Sequence, residues 1–204
     1  MKLHTTILLA ATLCVQAATA TATTAAPTKK DLSVALARYL ADYGQLCVGK
    51  YDWPITVMPQ DAGNGERNAV QMPALAEAGL VQVLPASDGA MVYRLTDAGR
   101  QYYWPRKIAR RDGAPGQADV HDFCAGRLAL DQVVRWTPPV QVGDHLESTA
   151  TYTYSIAPAP WTADPRLQQV FPMIDRVIKG QHKAQLAQRL RLVGGKWEAV
   201  LAVE

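Results

Sequence analysis

The chain has 204 residues, of which 49% are hydrophobic and 19% are charged, and its formal net charge is +3. This apolar content excludes a fully disordered chain, and the length allows one large domain or two small ones. A net charge this small gives no strong basic field, so the composition does not favour a nucleic acid or an anionic membrane as the partner.

The N-terminus has the three-part layout of a secretory signal peptide. A cation at Lys2 precedes an apolar run, Ile7–Val15, and the small residues at 18–22 suit a signal peptidase. The apolar run is too short for a helix that spans a bilayer, which needs about 20 residues. We therefore predict a signal peptide over 1–22 and a mature protein that is periplasmic or secreted and has no membrane span.

Two cysteines, Cys47 and Cys124, remain after the predicted cleavage. In an oxidising compartment, two cysteines favour a single disulfide. Their spacing cannot establish the bond geometry, so a pair of buried free thiols stays open as the alternative. The prediction is a disulfide that links the end of the first helix to the start of the first C-terminal strand.

Apolar residues at helical spacing predict a first helix that begins near Asp31 and ends near Gly49. The pattern then changes from helical to short alternating segments separated by turn residues. The elements predicted in this region are a short strand over 55–58, a helix over 68–78, strands over 80–84 and 91–95, and a helix over 97–103.

Two short sequence segments in this half resemble those of a known family. Leu75–Leu80 reads LAEAGL, and Tyr93–Gly99, beyond the predicted hairpin, reads YRLTDAG. A helix that leads into GL, then a wing, then Y-x-L-T-x-x-G resembles the later part of a winged-helix domain. The resemblance covers roughly residues 31–103 and implies a winged-helix-like domain over 27–105.

Winged-helix domains commonly bind DNA, so the resemblance makes DNA binding a function to consider. DNA readers carry basic and amide side chains on the recognition helix and basic residues on the wing. Here the helix offers Arg67, Asn68 and Gln71 before it turns apolar, and the wing tip, Ala86–Ala90, has no cation. We therefore predict that this domain is a structural scaffold only and binds no nucleic acid.

The second half is predicted to be a separate domain over 121–204, joined to the first by a linker over 106–120 that is basic and then rich in Gly and Pro. Alternating apolar and polar residues predict an antiparallel hairpin across 127–156. A helix that Pro172 should kink and two more strands follow. The predicted fold class is α+β, with a four-stranded antiparallel β-β-α-β-β domain whose apolar face the helix covers.

The same alternation assigns the two faces of the predicted sheet. Leu128, Leu130, Val134 and Trp136 of the first strand are expected to point into the core. The opposite face carries threonines and guanidinium groups, which can bind an acidic partner unless the face is simply solvated or covered by the first domain. The residues predicted to bind are Arg127, Arg135, Thr151, Arg189 and Arg191.

Two clusters contain residue types that metal or acid–base sites use. Asp119-x-His121-Asp122 lies two residues before Cys124, and Asp144-His145-x-Glu147 starts the other hairpin strand. Antiparallel pairing would put the clusters at opposite ends of the hairpin, so the simpler expectation is that Asp122 and Asp144 are turn residues and that the histidines are exposed.

The sequence therefore favours an exported, non-enzymatic protein that binds another protein and needs no cofactor or metal. One alternative is a metal- or thiol-dependent hydrolase that uses His121 and Cys124, which would require a free thiolate at Cys124. Another alternative is a carrier of a small ligand, bound in the groove between the two predicted domains.

Overall fold

A computed structural model describes residues 26–110 and 116–201, so the predicted signal peptide lies outside the described residues. The first half of the chain alternates short helices and short strands. Its elements are α1 (Lys29–Tyr43), β1 (Gln45–Cys47), β2 (Ile55–Val57), α2 (Pro59–Gly63), α3 (Arg67–Glu77), β3 (Val81–Pro85), β4 (Met91–Leu95), α4 (Asp97–Arg100) and β5 (Tyr103–Ala109).

The second half contains two long strands and two short consecutive helices, separated as the prediction of a kink at Pro172 requires. Its elements are β6 (Gln117–Trp136), β7 (Val140–Val142), β8 (His145–Pro158), a 3₁₀ turn (Pro160–Ala163), α5 (Pro165–Val170), α6 (Pro172–Lys179), β9 (Leu186–Val193) and β10 (Lys196–Ala199).

The fold is mixed α+β, as predicted, and its strands pair antiparallel. Seven of the described strands form one sheet in the order β1-β6-β8-β9-β10, with β5 added to β6 and β7 added to β8. Three more strands form a small sheet in the order β2-β4-β3. The larger sheet therefore has three strands more than the predicted four-stranded one.

Both described ends of the stretch predicted to be a linker lie in paired strands. β5 pairs with the start of β6 from Tyr103 opposite Phe123 to Ala109 opposite Gln117. The Arg110 N–H donates to the Gly116 carbonyl at 3.2 Å. The described residues at both ends of the predicted linker are therefore strand, and the division into two domains stays a prediction.

The first helix ends earlier than predicted because the chain must approach β6 closely. The backbone N–H of Gly44 caps α1 by donating to the Leu40 carbonyl at 2.8 Å. A Cβ at Gly44 would lie 2.8 Å from the carbonyl oxygen of Leu128 in β6. Leu46, predicted to be helical, therefore lies in β1, beside β6.

Helix α1 covers one face of the larger sheet, which we call the inner face. The sequence assigned this role to the C-terminal helix. Leu32, Leu36 and Leu40 of α1 share a buried core with Val133 of β6 and Leu190 of β9. Periodicity showed that both helices bury an apolar stripe but could not show which sheet each one covers.

The C-terminal helices pack against the first half of the chain instead. Leu167, Phe171 and Ile174 share a second buried core with Met72 and Leu75 of α3. Phe123 and Ala125, near the start of β6, belong to this same core. Strand β6 thus contributes side chains to both cores, and packing contacts cross the predicted domain boundary, which itself stays a prediction.

Two irregularities in β6 explain a wrong assignment of its faces. The register with β8 shifts between Leu130 and Gln132 and again between Val133 and Arg135. Each shift of one residue reverses the face to which the next side chains point. As a result Val133 is 1% exposed, whereas Val134, predicted to face the core, is 42% exposed. The second shift restores the predicted side for Trp136, which lies opposite the buried Ala150 and is 37% exposed at the end of the strand.

A disulfide joins Cys47 of β1 to Cys124 of β6, as predicted, and these two residues are partners in the β1–β6 register. The bond links residues 77 positions apart. A closed loop of that length stabilises the fold by about 4.5 kcal/mol in the chain-entropy account. None of the helices in the described part of the chain has the length and apolarity needed to cross a bilayer.

The position of α1 on the sheet can be tested by substitution. Leu36 is 0% exposed, and we expect Leu36→Ala to lower the free energy of unfolding by about 2–5 kcal/mol because it leaves a cavity under the sheet. The matched control is Val34→Ala on the same helix, where the side chain is 56% exposed and the change should stay within about 0.5 kcal/mol. Equal effects in urea titrations would contradict the packing.

Candidate binding face of the sheet

Four of the five residues predicted to bind lie together on one side of the larger sheet. Across β8 and β9, Thr149 is opposite Arg189, and across β6 and β8, Arg135 is opposite Thr151. Arg191 follows two positions after Arg189 and therefore has the same orientation. We call this side, which points away from α1, the outer face; it is formed by Arg135, Thr149, Thr151, Arg189 and Arg191.

Arg127, the fifth predicted residue, lies apart from the other four. It is opposite Gln45 of β1 and Ala157 of β8, and its guanidinium carbon lies 5.8 Å from the ring centroid of Trp104. Eight positions along β6 separate Arg127 from Arg135, which corresponds to about 25 Å of strand. The structure therefore divides the predicted binding residues into a group of four and one distant cation.

A buried carboxylate holds the two exposed arginines of β9. The side chain of Glu147 is 7% exposed, and its oxygens lie 3.6 Å from Arg189 Nε and 3.5 Å from Arg191 Nη2. The Arg189 and Arg191 side chains remain 58% and 41% exposed. Contact with one buried carboxylate restricts the positions of both guanidinium groups.

His145 completes this arrangement at the start of β8. Its Nε2 lies 3.0 Å from Glu147 Oε1, and its Nδ1 lies 2.8 Å from Asp144 Oδ1. Burial acts to raise the pKa of Glu147, but the hydrogen bond with His145 and the charges of Arg189 and Arg191 outweigh it, so the pKa lies below its ordinary value. Glu147 is therefore ionised at neutral pH.

Exposed apolar side chains border the arginines. Val140 and Val142 of β7 lie opposite Glu147 and His145, and they are 57% and 41% exposed. Val193, at the end of β9, is 47% exposed. The outer face therefore combines guanidinium groups with exposed apolar side chains at its β7 and β9 edges.

A recess opens beside the arginines at the β9–β10 end of the outer face. Its volume is about 400 Å³, and its lining includes Arg189, Arg191, Val193 and Glu198. Glu198 of β10 lies directly opposite Arg191. The face is therefore of mixed charge at this edge.

The other predicted cluster, Asp119-x-His121-Asp122, lies at the far end of the hairpin, as its topology required. Its buried carboxylate is held by hydrogen bonds within the protein. Asp122 is fully buried and accepts hydrogen bonds from the Lys50 backbone N–H at 2.7 Å and from Arg106 Nη1 at 3.2 Å. Burial raises its pKa more than these contacts lower it. The expectation of a turn residue was wrong because pairing with β5 extends β6 past this position.

His121 and Cys124 do not form the pair that a thiol hydrolase would need. The sulfur of Cys124 is bonded to Cys47, and the residue is 0% exposed. The His121 ring packs against Tyr103 with their centroids 5.3 Å apart. Within residues 26–110 and 116–201, no group of three or more His, Cys, Asp or Glu side chains is arranged to hold a metal ion.

Glu147 was not among the residues predicted to bind. One signal could have found it. His145-x-Glu147 and Arg189-x-Arg191 each place two polar side chains two positions apart, which puts each pair on one side of its strand. Pairing β8 with β9 then brings the carboxylate and the guanidinium groups together.

Comparison of the chain with protein-family models, with curated proteins and with solved structures finds no match.

The Glu147 contacts predict a specific dependence of stability on pH. Because the pKa of this carboxyl in the folded protein is below its ordinary value of 4.5, its contribution is complete above that pH and is lost as the pH falls through the folded pKa. We expect Glu147→Gln to lower the free energy of unfolding at neutral pH and to reduce its loss in acid.

The measurement is a series of urea titrations between pH 7 and pH 3, with Glu66→Gln, an exposed substitution before α3, as the control. A Glu147→Gln profile that runs parallel to the unsubstituted protein across this range would show that the contacts do not stabilise the folded state.

Proposed function

We propose that this chain is an exported, non-enzymatic accessory protein that binds another protein through the outer face. One observation carries the proposal: two exposed arginines are restrained by a single buried carboxylate, with exposed valines beside them. Restrained guanidinium groups next to apolar surface are typical of the central residues of protein interfaces.

The partner surface that fits this face is acidic and partly apolar. The guanidinium group of Arg189 or Arg191 can donate two parallel hydrogen bonds to a carboxylate, a geometry that lysine does not offer. Val140 and Val193 supply apolar contact around the charged pair. Arg135 of β6 lies opposite Thr151 of β8 and is also exposed. It extends the positive surface to the side of β8 away from β9.

Export into the periplasm or the medium is part of this proposal. The predicted signal peptide over 1–22 motivates it, and the Cys47–Cys124 disulfide is the kind of bond that persists in an oxidising compartment. A partner of the protein would then be another exported or envelope protein.

We further propose that the small sheet and α3 form a winged-helix-like scaffold. The strand order β2-β4-β3, with α3 leading into the β3–β4 hairpin, supports this arrangement. Helix α1 packs on the larger sheet and so takes no part in it. The wing tip Ala86–Ala90 carries no cation, which supports a scaffold role without nucleic acid.

Site-specific photocrosslinking tests the binding proposal. A photoreactive phenylalanine at Thr149 stands on the outer face opposite Arg189, and the same group at the exposed Ala37 of α1 is the control. We expect a discrete adduct with one protein from Thr149 and none from Ala37, when the chain is expressed in its native host. Equal labelling from both positions would contradict the proposal.

Charge reversal then tests the arginines with the captured partner purified. We expect Arg189→Glu with Arg191→Glu to weaken binding at least about tenfold, because both charges would repel an acidic surface. Lys29→Glu with Lys30→Glu makes the same change of net charge at the start of α1 and should leave the affinity unchanged. Affinity that both double variants retain would exclude the outer face.

A further inference from the structure

A cavity of about 430 Å³ lies between α3, the end of β1 and the junction of α5 with α6. This volume falls within the range of about 300–1,000 Å³ that is usual for small-molecule sites. The cavity is built from elements other than those of the outer face. Its lining consists of Cys47, Val48, Arg67, Gln71, Val170, Phe171, Pro172, Met173 and Ile174.

Most of the lining suits an apolar group. Val48, Phe171 and Ile174 are buried members of the core around α3. Met173 is 61% exposed, and a flexible thioether of this kind adapts to ligands of different shape. An aliphatic side chain of a ligand would therefore be shielded from water here.

Gln71 adds a polar atom that lacks a partner. The residue is 8% exposed, and its Nε2 donates to the Val170 carbonyl at 3.2 Å, which orients the amide. Its Oε1 is buried and accepts no hydrogen bond from any described residue. A buried acceptor without a donor costs free energy, and a ligand N–H at this atom would recover it.

Arg67 places a cation on the same cavity. It is the first residue of α3, one turn before Gln71, so the two side chains lie on the same side of the helix. Arg67 is exposed and makes no ion pair with the residues that the structure describes. A free guanidinium group in this position is suited to a carboxylate.

We propose that this cavity binds an acylated amino acid that has a free carboxylate, either as a free molecule or as the last residue of a peptide. The carboxylate pairs with Arg67, the amide N–H donates to Gln71 Oε1, and an aliphatic side chain lies against Val48, Phe171 and Ile174. This site does not depend on binding of a protein to the outer face.

A set of four probes separates these contacts in isothermal titrations of the mature protein. N-acetyl-leucine carries all three groups, N-acetyl-leucinamide lacks the charge, and 4-methylpentanoate lacks the N–H. We expect each of the last two to bind about tenfold more weakly than N-acetyl-leucine, because each loses one buried or charged hydrogen bond. The fourth probe, acetyl-Ala-Ala-Leu, distinguishes the sources: tighter binding assigns the site to peptide ends, and weaker binding to free acyl amino acids.

Two variants assign the contacts to residues. Arg67→Gln should weaken N-acetyl-leucine about tenfold, whereas Arg94→Gln, an exposed change on β4, should not alter its affinity. Gln71→Leu should abolish the preference for N-acetyl-leucine over 4-methylpentanoate. If Gln71→Leu fails to fold, the comparison of these two probes on the unsubstituted protein still decides whether the ligand N–H contributes to binding. No binding of N-acetyl-leucine, or equal binding of the amide, would overturn the proposal.

Discussion

Pairing along the whole length of β6 is the constraint on which the rest of the structure depends. This strand of 20 residues pairs with β1, β5 and β8, so it fixes where three other strands lie. Phe123, near its start, belongs to the core around α3, and Val133, near its end, belongs to the core under α1. A change in the register of β6 would therefore alter both cores at once.

The placement of α1 determines which surface remains available. Because α1 buries the inner side of the larger sheet, the arginines of β9 are left on the side that faces water. The Cys47–Cys124 bond and the close approach of Gly44 to Leu128 hold the chain that follows α1 against β6. The proposed binding face thus follows from helix packing on the opposite side of the same sheet.

Features set by local pattern were predictable, whereas those set by register and packing were not. Alternation placed Leu128 and Leu130 on the side of the sheet that packs against the core under α1, and the cysteine count predicted the disulfide. The irregularities after Leu130 and Val133 and the exchange of covering helices depend on partners distant in sequence. For the same reason, the arginines of the outer face were predicted, but their contact with Glu147 was not.

Methyl nuclear Overhauser spectroscopy of the mature protein tests most directly whether α1 covers the larger sheet. The account predicts cross-peaks from the methyl groups of Leu32 and Leu40 to those of Leu190 and Val133, since all four residues share one core. Cross-peaks from Leu32 and Leu40 to Met72 and Leu75 instead would place α1 against α3. That result would contradict the account and would leave the inner side of the larger sheet uncovered.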